Sequence, residues 1–249
     1  MQKRGQITLF VIIAIVIVLS ITSFYYFTKD TESIESAEGQ NLLSNYLSES
    51  KEIMYSCLET SAKDSTYYVL AHGGSLDENN SVNFPELGLI HKGFDTTINK
   101  ATFPQINKIQ EQISQHIQQK FLSCFNLTEF PKGTIIPSTQ PKITTQIANN
   151  EITFRLEYPL TFTLGESSIR YNEPVIVSIP VSLTNILKTA NDLTKTIETD
   201  PEYLDLEFIQ KALTEIVVLP LDENNILFML TDYNQTIENI PITIFFVMG

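Results

Sequence analysis

The chain has 249 residues with 29 acidic and 16 basic side chains, which gives a formal net charge of −13 at pH 7. All 29 acidic residues lie after residue 29, in a segment with 13 basic ones and hence a net charge of 13 − 29 = −16. Such a surface repels phosphate backbones, so nucleic acid is excluded as an expected partner.

The N-terminus combines positive charge with a long apolar run. Lys3 and Arg4 precede twenty-one uncharged residues, 7–27. A run of this length predicts a transmembrane helix in a lipid bilayer. The positive charges predict a cytoplasmic N-terminus and a single-pass protein of the cell membrane, with residues 30–249 extracytoplasmic. Aromatic residues at 24–27 and the lack of a small-residue cleavage site favour a retained span over a cleaved secretory peptide.

The junction at Gly5-Gln6 resembles an archaeal class III signal peptide, the type found in type IV pilin-like surface proteins. The resemblance implies cleavage between Gly5 and Gln6 by a prepilin-type peptidase, with the apolar helix kept in the mature protein. It also implies like subunits or other surface proteins as partners. The chain departs from the pattern at Phe10, where members that polymerise usually carry Glu.

Four further features resemble an uncharacterised family of membrane-anchored surface proteins from small-genome archaea. They are Ser56-Cys57-Leu58-Glu59, Gly73-Gly74, Cys124 and Tyr158-Pro159-Leu160. This resemblance carries no known activity, and it implies topology only.

Two helices are predicted in the first half of the extracytoplasmic segment. Residues 31–72 contain no proline and repeat apolar residues at helical spacing, and Gly73-Gly74 predicts a C-cap. This helix either continues from the apolar run as a stalk or breaks near Gly39. After a polar connection with Asn79-Asn80 and Pro85, a second helix begins near Pro104, with an isoleucine stripe opposite a face rich in glutamine.

The two cysteines, Cys57 and Cys124, lie on these two helices. In an outward-facing chain an even cysteine count favours a disulfide, and the helices are expected to be antiparallel neighbours. The alternative is two buried free thiols.

The second half alternates between strand and helix patterns. Apolar residues occupy every second position from 152 to 164, where Pro159 indicates an edge position or a bulge, and again from 175 to 181 as part of an antiparallel meander. Ser182 is predicted to cap one helix and Asp200-Pro201 to open another. Further strands are predicted at 216–219, 226–231 and 242–247.

The predicted fold class is α+β, with an N-terminal transmembrane helix, a long helix and a helical hairpin packed with an antiparallel sheet. The predicted organisation is a cytoplasmic tip and anchor at 1–29 and one extracytoplasmic domain at 30–249. That domain divides into a helical part, 30–136, and a strand-rich part, 137–249.

The sequence offers no catalytic constellation, no cofactor motif and no metal motif. His72, His91 and His116 are far apart and lack metal-ligand spacing, so each is expected at the surface or at a helix end. Ser75 lacks the context of a nucleophile elbow. Three glycosylation sequons begin at Asn79, Asn126 and Asn234. Asn79, in the polar connection, is the favoured acceptor.

These observations favour a non-enzymatic, membrane-anchored cell-surface protein, processed as a pilin-like subunit. The alternative is an extracytoplasmic ligand-binding or sensory module that acts with a membrane partner. A third hypothesis, an anchored hydrolase, requires a deep pocket with converging polar groups.

Overall fold

The computed structural model describes residues 3–84, 88–127, 135–165, 167–200 and 206–249. Helices and strands are mixed along the chain, and most strand pairs are antiparallel, so the fold is α+β. The helices of the described part are α1 (Lys3–Ala71), α2 (Ile106–Cys124), α3 (Thr184–Thr199) and α4 (Leu206–Lys211).

Helix α1 is unbroken along its whole length, so Gly39 does not interrupt it. It ends where predicted, because Gly73 and Gly74 both adopt a φ of 79°. The Gly74 amide donates to the Val69 carbonyl at 2.8 Å, and the Gly73 amide donates to Leu70 at 3.0 Å. Glycine tolerates this left-handed conformation, so the pair closes the last turn of the helix.

One part of the predicted fold class is wrong. Among the described residues, no helix combines the length and the apolar character that crossing a membrane requires. The prediction of a transmembrane helix at residues 7–27 is therefore wrong. These residues form the first part of α1, and this helix continues without a break into charged sequence from Lys29 onwards.

The largest sheet has six strands drawn from both halves of the chain. Its strands are β1 (Ser81–Phe84), β2 (Gly88–Asp95), β3 (Lys100–Ala101), β10 (Glu215–Pro220), β11 (Ile226–Ile237) and β12 (Ile240–Met248). Their order is β1-β2-β12-β11-β10, and β3 pairs with the C-terminal end of β2. Among the strands that the structure describes, only β12 and β2 pair in parallel.

The segment between α1 and α2, predicted as a polar connection, thus contains three strands. Strand β2 pairs in parallel with β12, which joins residues of the predicted helical part to the last strand of the chain. Helices α1 and α2 still pack as antiparallel neighbours. Contacts run in opposite order along the two helices, with Ser65 beside His116 and Cys57 beside Cys124.

The described residues also form two smaller antiparallel sheets. Their strands are β4 (Ile135–Pro137), β5 (Lys142–Ile147), β6 (Ile152–Glu157), β7 (Leu160–Leu164), β8 (Ser167–Tyr171) and β9 (Val175–Ile179). The strand orders are β4-β7-β8 and β5-β6-β9. The predicted alternation at 152–164 is correct, but Tyr158-Pro159 divides it between the two sheets. Pro159 therefore lies between two strands, and not at an edge position or a bulge within one strand. The predicted meander places β9 beside β8, but in the structure β9 pairs with β6.

Helix α3 buries the apolar face that its sequence predicts. The buried residues of this face are Leu183, Ile186, Leu187, Ala190, Leu193 and Ile197. Ser182 does not cap the helix, because its amide donates to Gln235 Oε1 at 2.7 Å and Leu183 takes the N-cap position without a side-chain bond. The predicted start of the next helix at Pro201 lies outside the described residues.

A single large hydrophobic cluster joins the helices to all three sheets. Its largest fully buried side chains include Phe121 of α2, Phe154 and Phe162 of the small sheets, and Phe228 and Phe246 of the large one. The phenylalanines of β11 and β12 stack with their ring centroids 5.2 Å apart. This shared core packs the C-terminal end of α1 against α2 and β2. The candidate site lies at the surface next to this end of α1.

Candidate functional site

The predicted disulfide is present. Cys57 of α1 and Cys124 at the end of α2 are bonded, with their Cα atoms 5.7 Å apart. The bond joins positions 67 residues apart, and the described part of the chain contains no free cysteine. It closes the interface of the two helices at the end opposite to Gly74.

The structure brings together three histidines that are far apart in the sequence. His72 directly follows α1, and its carbonyl accepts a hydrogen bond from the His91 amide at 3.1 Å. His116 of α2 stacks on Tyr68 of α1, with ring centroids 4.4 Å apart and planes 3° from parallel. His72 covers Tyr68 from another side at 4.1 Å. The Tyr68 ring is thus held between two imidazoles, yet 44% of the residue is exposed.

His91 is not a surface residue, which corrects that expectation. It lies in β2 with only 6% of its surface exposed. Burial lowers the pKa of His91, although the Thr102 carbonyl, 3.2 Å from Nε2, and the charge of Asp77 act in the opposite direction. His91 Nδ1 is buried and has no hydrogen-bond partner in the described part of the chain. The histidine is therefore expected to be neutral at pH 7.

A serine and a histidine are in contact in this region. Ser65 Oγ and His116 Nδ1 are 2.9 Å apart. The pKa of His116 is lowered by partial burial and by electrostatic interaction with Lys120 and His72, while Asp64 acts in the opposite direction. Ser65 is completely buried inside α1, so a substrate cannot reach its hydroxyl. The contact orients the imidazole, and it gives no argument for nucleophilic catalysis.

A shallow groove of about 370 Å³ adjoins the rings, and we call it the amide groove. It is lined by Leu76, Asp77, Lys108, Gln112, Gln115, His116 and Gln119. The glutamines belong to one side of α2, next to the buried isoleucine stripe. The sequence already shows the glutamine-rich face of α2. From the sequence alone, however, this face indicates only an exposed surface opposite the isoleucine stripe.

Hydrogen bonds connect the polar groups of the amide groove in a chain. The Leu76 amide donates to Gln112 Oε1 at 2.9 Å, and Gln112 Nε2 lies 3.5 Å from Gln115 Oε1. Gln115 Nε2 then donates to Glu111 at 3.2 Å, and Glu111 pairs with Lys108 at 3.0 Å. The chain fixes the amide orientations before any ligand arrives.

Two other surface depressions are weaker candidates. The larger, of about 540 Å³, lies between α1 and β8 and is lined by short polar side chains such as Ser44, Ser167 and Ser168. It lacks aromatic and ionisable lining groups, and it adjoins position 166, which lies outside the described residues. The other, of about 230 Å³, lies between α3 and the segment of Phe208–Leu213. Among the described residues, no group of three or more metal-ligating side chains is present.

The remaining predicted site residues lie apart from this groove or at its border. Gly5 and Gln6 belong to the beginning of α1, and their surroundings are not described. Asn79 is exposed beside the groove, and its side-chain nitrogen donates to Asp77 Oδ1 at 3.1 Å. Asn126 and Asn234 are exposed elsewhere, after α2 and in β11. Ser75 is buried, and its Oγ accepts a hydrogen bond from the Asp77 amide.

Comparisons with known proteins add no family to this description. No family model, no curated protein and no solved structure matches the chain. Function is therefore argued from the chain's own residues.

Proposed function

We propose that the chain acts outside the cytoplasm as a non-enzymatic surface protein that presents an acidic α+β domain to other molecules. The observation that carries the proposal is the Cys57–Cys124 disulfide between α1 and α2. Disulfides persist in oxidising compartments and are rare where thiol reductants are abundant. The high negative charge supports the same location, because it keeps an exposed domain soluble.

A second candidate function is ligand binding by the same domain, as in an extracytoplasmic sensory module. The amide groove favours it, since its polar groups are ordered by a hydrogen-bond chain and adjoin a rigid ring stack. Binding sites typically combine apolar surface with a few oriented polar groups. The groove is open and shallow, which suits recognition of a ligand better than the exclusion of water that catalysis requires.

Surface location can be tested by labelling lysines on intact cells that produce the protein. A membrane-impermeant amine reagent should modify Lys51, Lys108 and Lys211, whose side chains are 41%, 48% and 72% exposed. The same sample should contain no alkylatable cysteine until a reductant is added. Cytoplasmic proteins of the same cells, labelled only after lysis, are the control.

Two results contradict the proposal. One is labelling of these lysines only after the cells are broken, which places the domain in the cytoplasm. The other is immediate alkylation of Cys57 and Cys124 in native protein, which removes the observation on which the proposal depends.

A further inference from the structure

We infer that Asn234 of β11 carries an Asn-linked glycan, and that the local shape of this strand makes Asn234 the acceptor among the three sequons. The inference rests on the proposed location outside the cytoplasm, where such glycans are found. From the sequence alone Asn79 is the favoured acceptor, because it belongs to a polar connection. The contacts of each side chain and of the backbone around it favour Asn234 instead.

Strand β11 forms a bulge at Asn234. On β11, Asp232 and Thr236 are four positions apart, whereas their partners on β12 are consecutive residues. The three residues between them, with Asn234 in the middle, therefore lie opposite no residue of β12, and the ladder with β10 already ends at Thr231. Bulges of this kind re-aim side chains and interrupt pairing. Another protein can thus bind the backbone of the bulge without breaking a ladder bond.

Contacts on both sides of Asn234 order the bulge. The buried carboxylate of Asp232 accepts a hydrogen bond from the Asn234 amide at 3.0 Å, which forms an Asx turn. On the other side, Gln235 Oε1 accepts a hydrogen bond from the Ser182 amide at 2.7 Å. Tyr233, the residue before the acceptor, is 64% exposed. The bulge is therefore a fixed part of the surface, and its middle residue is accessible.

The two chemical groups that define the sequon are both free. They are the side-chain amide of Asn234 and the hydroxyl of Thr236, two residues later. Both residues are exposed. Within the described part of the chain, neither the Asn234 side-chain nitrogen nor the Thr236 hydroxyl makes a hydrogen bond. A transferase can therefore bind both groups without removing an existing partner.

The same two groups are engaged in the sequon that begins at Asn79. Asn79 Nδ2 donates to Asp77 Oδ1 at 3.1 Å, and Ser81 Oγ donates to the Asp77 carbonyl at 2.6 Å. Ser81 is also paired with His91 in the ladder of β1 and β2. A transferase would have to break these contacts. The third sequon, which begins at Asn126, extends beyond the described residues.

The modification is a group transfer from a lipid-linked oligosaccharide to Asn234. A bond forms between the side-chain nitrogen and the anomeric carbon of the first sugar, while the bond from that carbon to a phosphate oxygen breaks. The lipid phosphate leaves, and a base of the transferase takes one proton from the nitrogen. The product is an amide that carries the oligosaccharide on its nitrogen.

The test uses the full chain isolated from its natural source, reduced and digested with trypsin. The positions of lysine and arginine place the three sequons in separate peptides, 64–92, 121–132 and 212–249. We expect most copies of the last peptide to be heavier by whole sugar residues. Fragment ions should assign the added mass to Asn234, and the peptide that contains Asn79 should be found mainly without sugar.

Matched variants produced in the same cells connect the glycan to the sequon. Thr236→Ala keeps Asn234 but removes the hydroxyl, and it should abolish the modification. Thr236→Ser keeps a hydroxyl at the same place and should retain the glycan, as should Asn79→Gln. Because Thr236 is exposed and its hydroxyl makes no hydrogen bond, both changes at this position should leave folding intact. Urea unfolding of the variants checks this point.

Three outcomes overturn the inference. They are an unmodified peptide 212–249, sugar on the Asn79 or Asn126 peptide while Asn234 is bare, and a Thr236→Ala variant that keeps its glycan. Lysine labelling on intact cells tests the location separately. Labelled lysines together with a bare Asn234 reject the glycan alone, whereas lysines that react only after lysis reject the location and the glycan together.

Discussion

The phenol oxygen of Tyr67 in α1 lies 2.6 Å from the carbonyl oxygen of Ile237 and accepts a hydrogen bond from the Ile237 amide at 3.1 Å. The Ile240 carbonyl is also within reach, at 2.7 Å. These backbone groups belong to the turn between β11 and β12, where Glu238 and Asn239 adopt positive φ angles of 54° and 66°. One side chain thus connects the longest helix to the tip of the longest hairpin.

Tyr67→Phe is expected to destabilise the protein by about 1 to 3 kcal/mol, because it leaves partly buried backbone groups of the hairpin turn without their partner. The shape of the side chain is unchanged, so the loss reports the hydroxyl alone. Urea unfolding monitored by circular dichroism measures it. Tyr55→Phe, which changes a 47% exposed tyrosine on the same helix, should stay within about 0.5 kcal/mol of the wild type. Equal stability of the two variants contradicts the role of Tyr67.

Loss of the disulfide should cost more. Because Cys57 and Cys124 are 67 residues apart, the bond limits the unfolded chain, and a loop of this size is worth about 4 kcal/mol in the entropy model. The urea midpoint should therefore fall on reduction. The double variant Cys57→Ser/Cys124→Ser should have the lower urea midpoint without any reductant, and adding the reductant should not change it. A wild type that is equally insensitive would show that the thiols are not bonded.

The sequence predicted the elements whose pattern is local. The stripe of α3 and the alternation around residues 152–164 follow from burial of one face, and both are correct. The sequence did not reveal β1 to β3. Strands β1 and β3 have only four and two residues, too few for a clear alternation, and one edge of the longer β2 pairs with a strand from far along the chain. Strand β2 reaches its parallel neighbour β12 only after some 150 residues. Pairing at that distance leaves no periodic trace.

The candidate site illustrates the same limit. His72, His91 and His116 come from the end of α1, from β2 and from α2, so only the tertiary fold brings them together. The glutamine-rich face of α2 was visible in the sequence. Its meaning was not, because an exposed polar face of a helix is the ordinary result of amphipathicity. The neighbouring ring of Tyr68 distinguishes it, and that contact belongs to the three-dimensional structure.

Stability should fall as the pH is lowered from about 7 to about 5, because the folded state keeps His91 neutral while the unfolded state protonates it near pH 6.5. The unfolded chain binds more protons in this window, which favours unfolding as the pH drops. Above the unfolded pKa the contribution is fully present. Each such histidine adds a slope of at most about 1.4 kcal/mol per pH unit.

Urea midpoints at several pH values measure the slope, and substitution identifies the histidines that cause it. His91→Gln should flatten the pH dependence, and His91→Gln/His116→Gln should flatten it further, since the pKa of His116 is lowered as well. Hydrogen bonds from Thr97 and Asn225 lower the pKa values of Asp95 and Asp222, respectively. These two carboxyl groups therefore titrate below the pH range in which the histidines act. An unchanged slope in the double variant excludes the histidines as its source.

Cleavage between Gly5 and Gln6 stays a prediction, and the mass of the N-terminal peptide tests it directly. The structure places α1 from Lys3 onwards, so the junction lies in the first turn, where the amide groups lack intrahelical acceptors and the helix opens most readily. We expect protein isolated from its natural source to begin at Gln6. The substitution Gly5→Phe should block cleavage and leave the segment before Gln6 attached, whereas Gln2→Ala, outside the junction, should not change the new terminus. An intact N-terminus in the wild-type protein rejects the processing and with it the pilin-like interpretation of the chain.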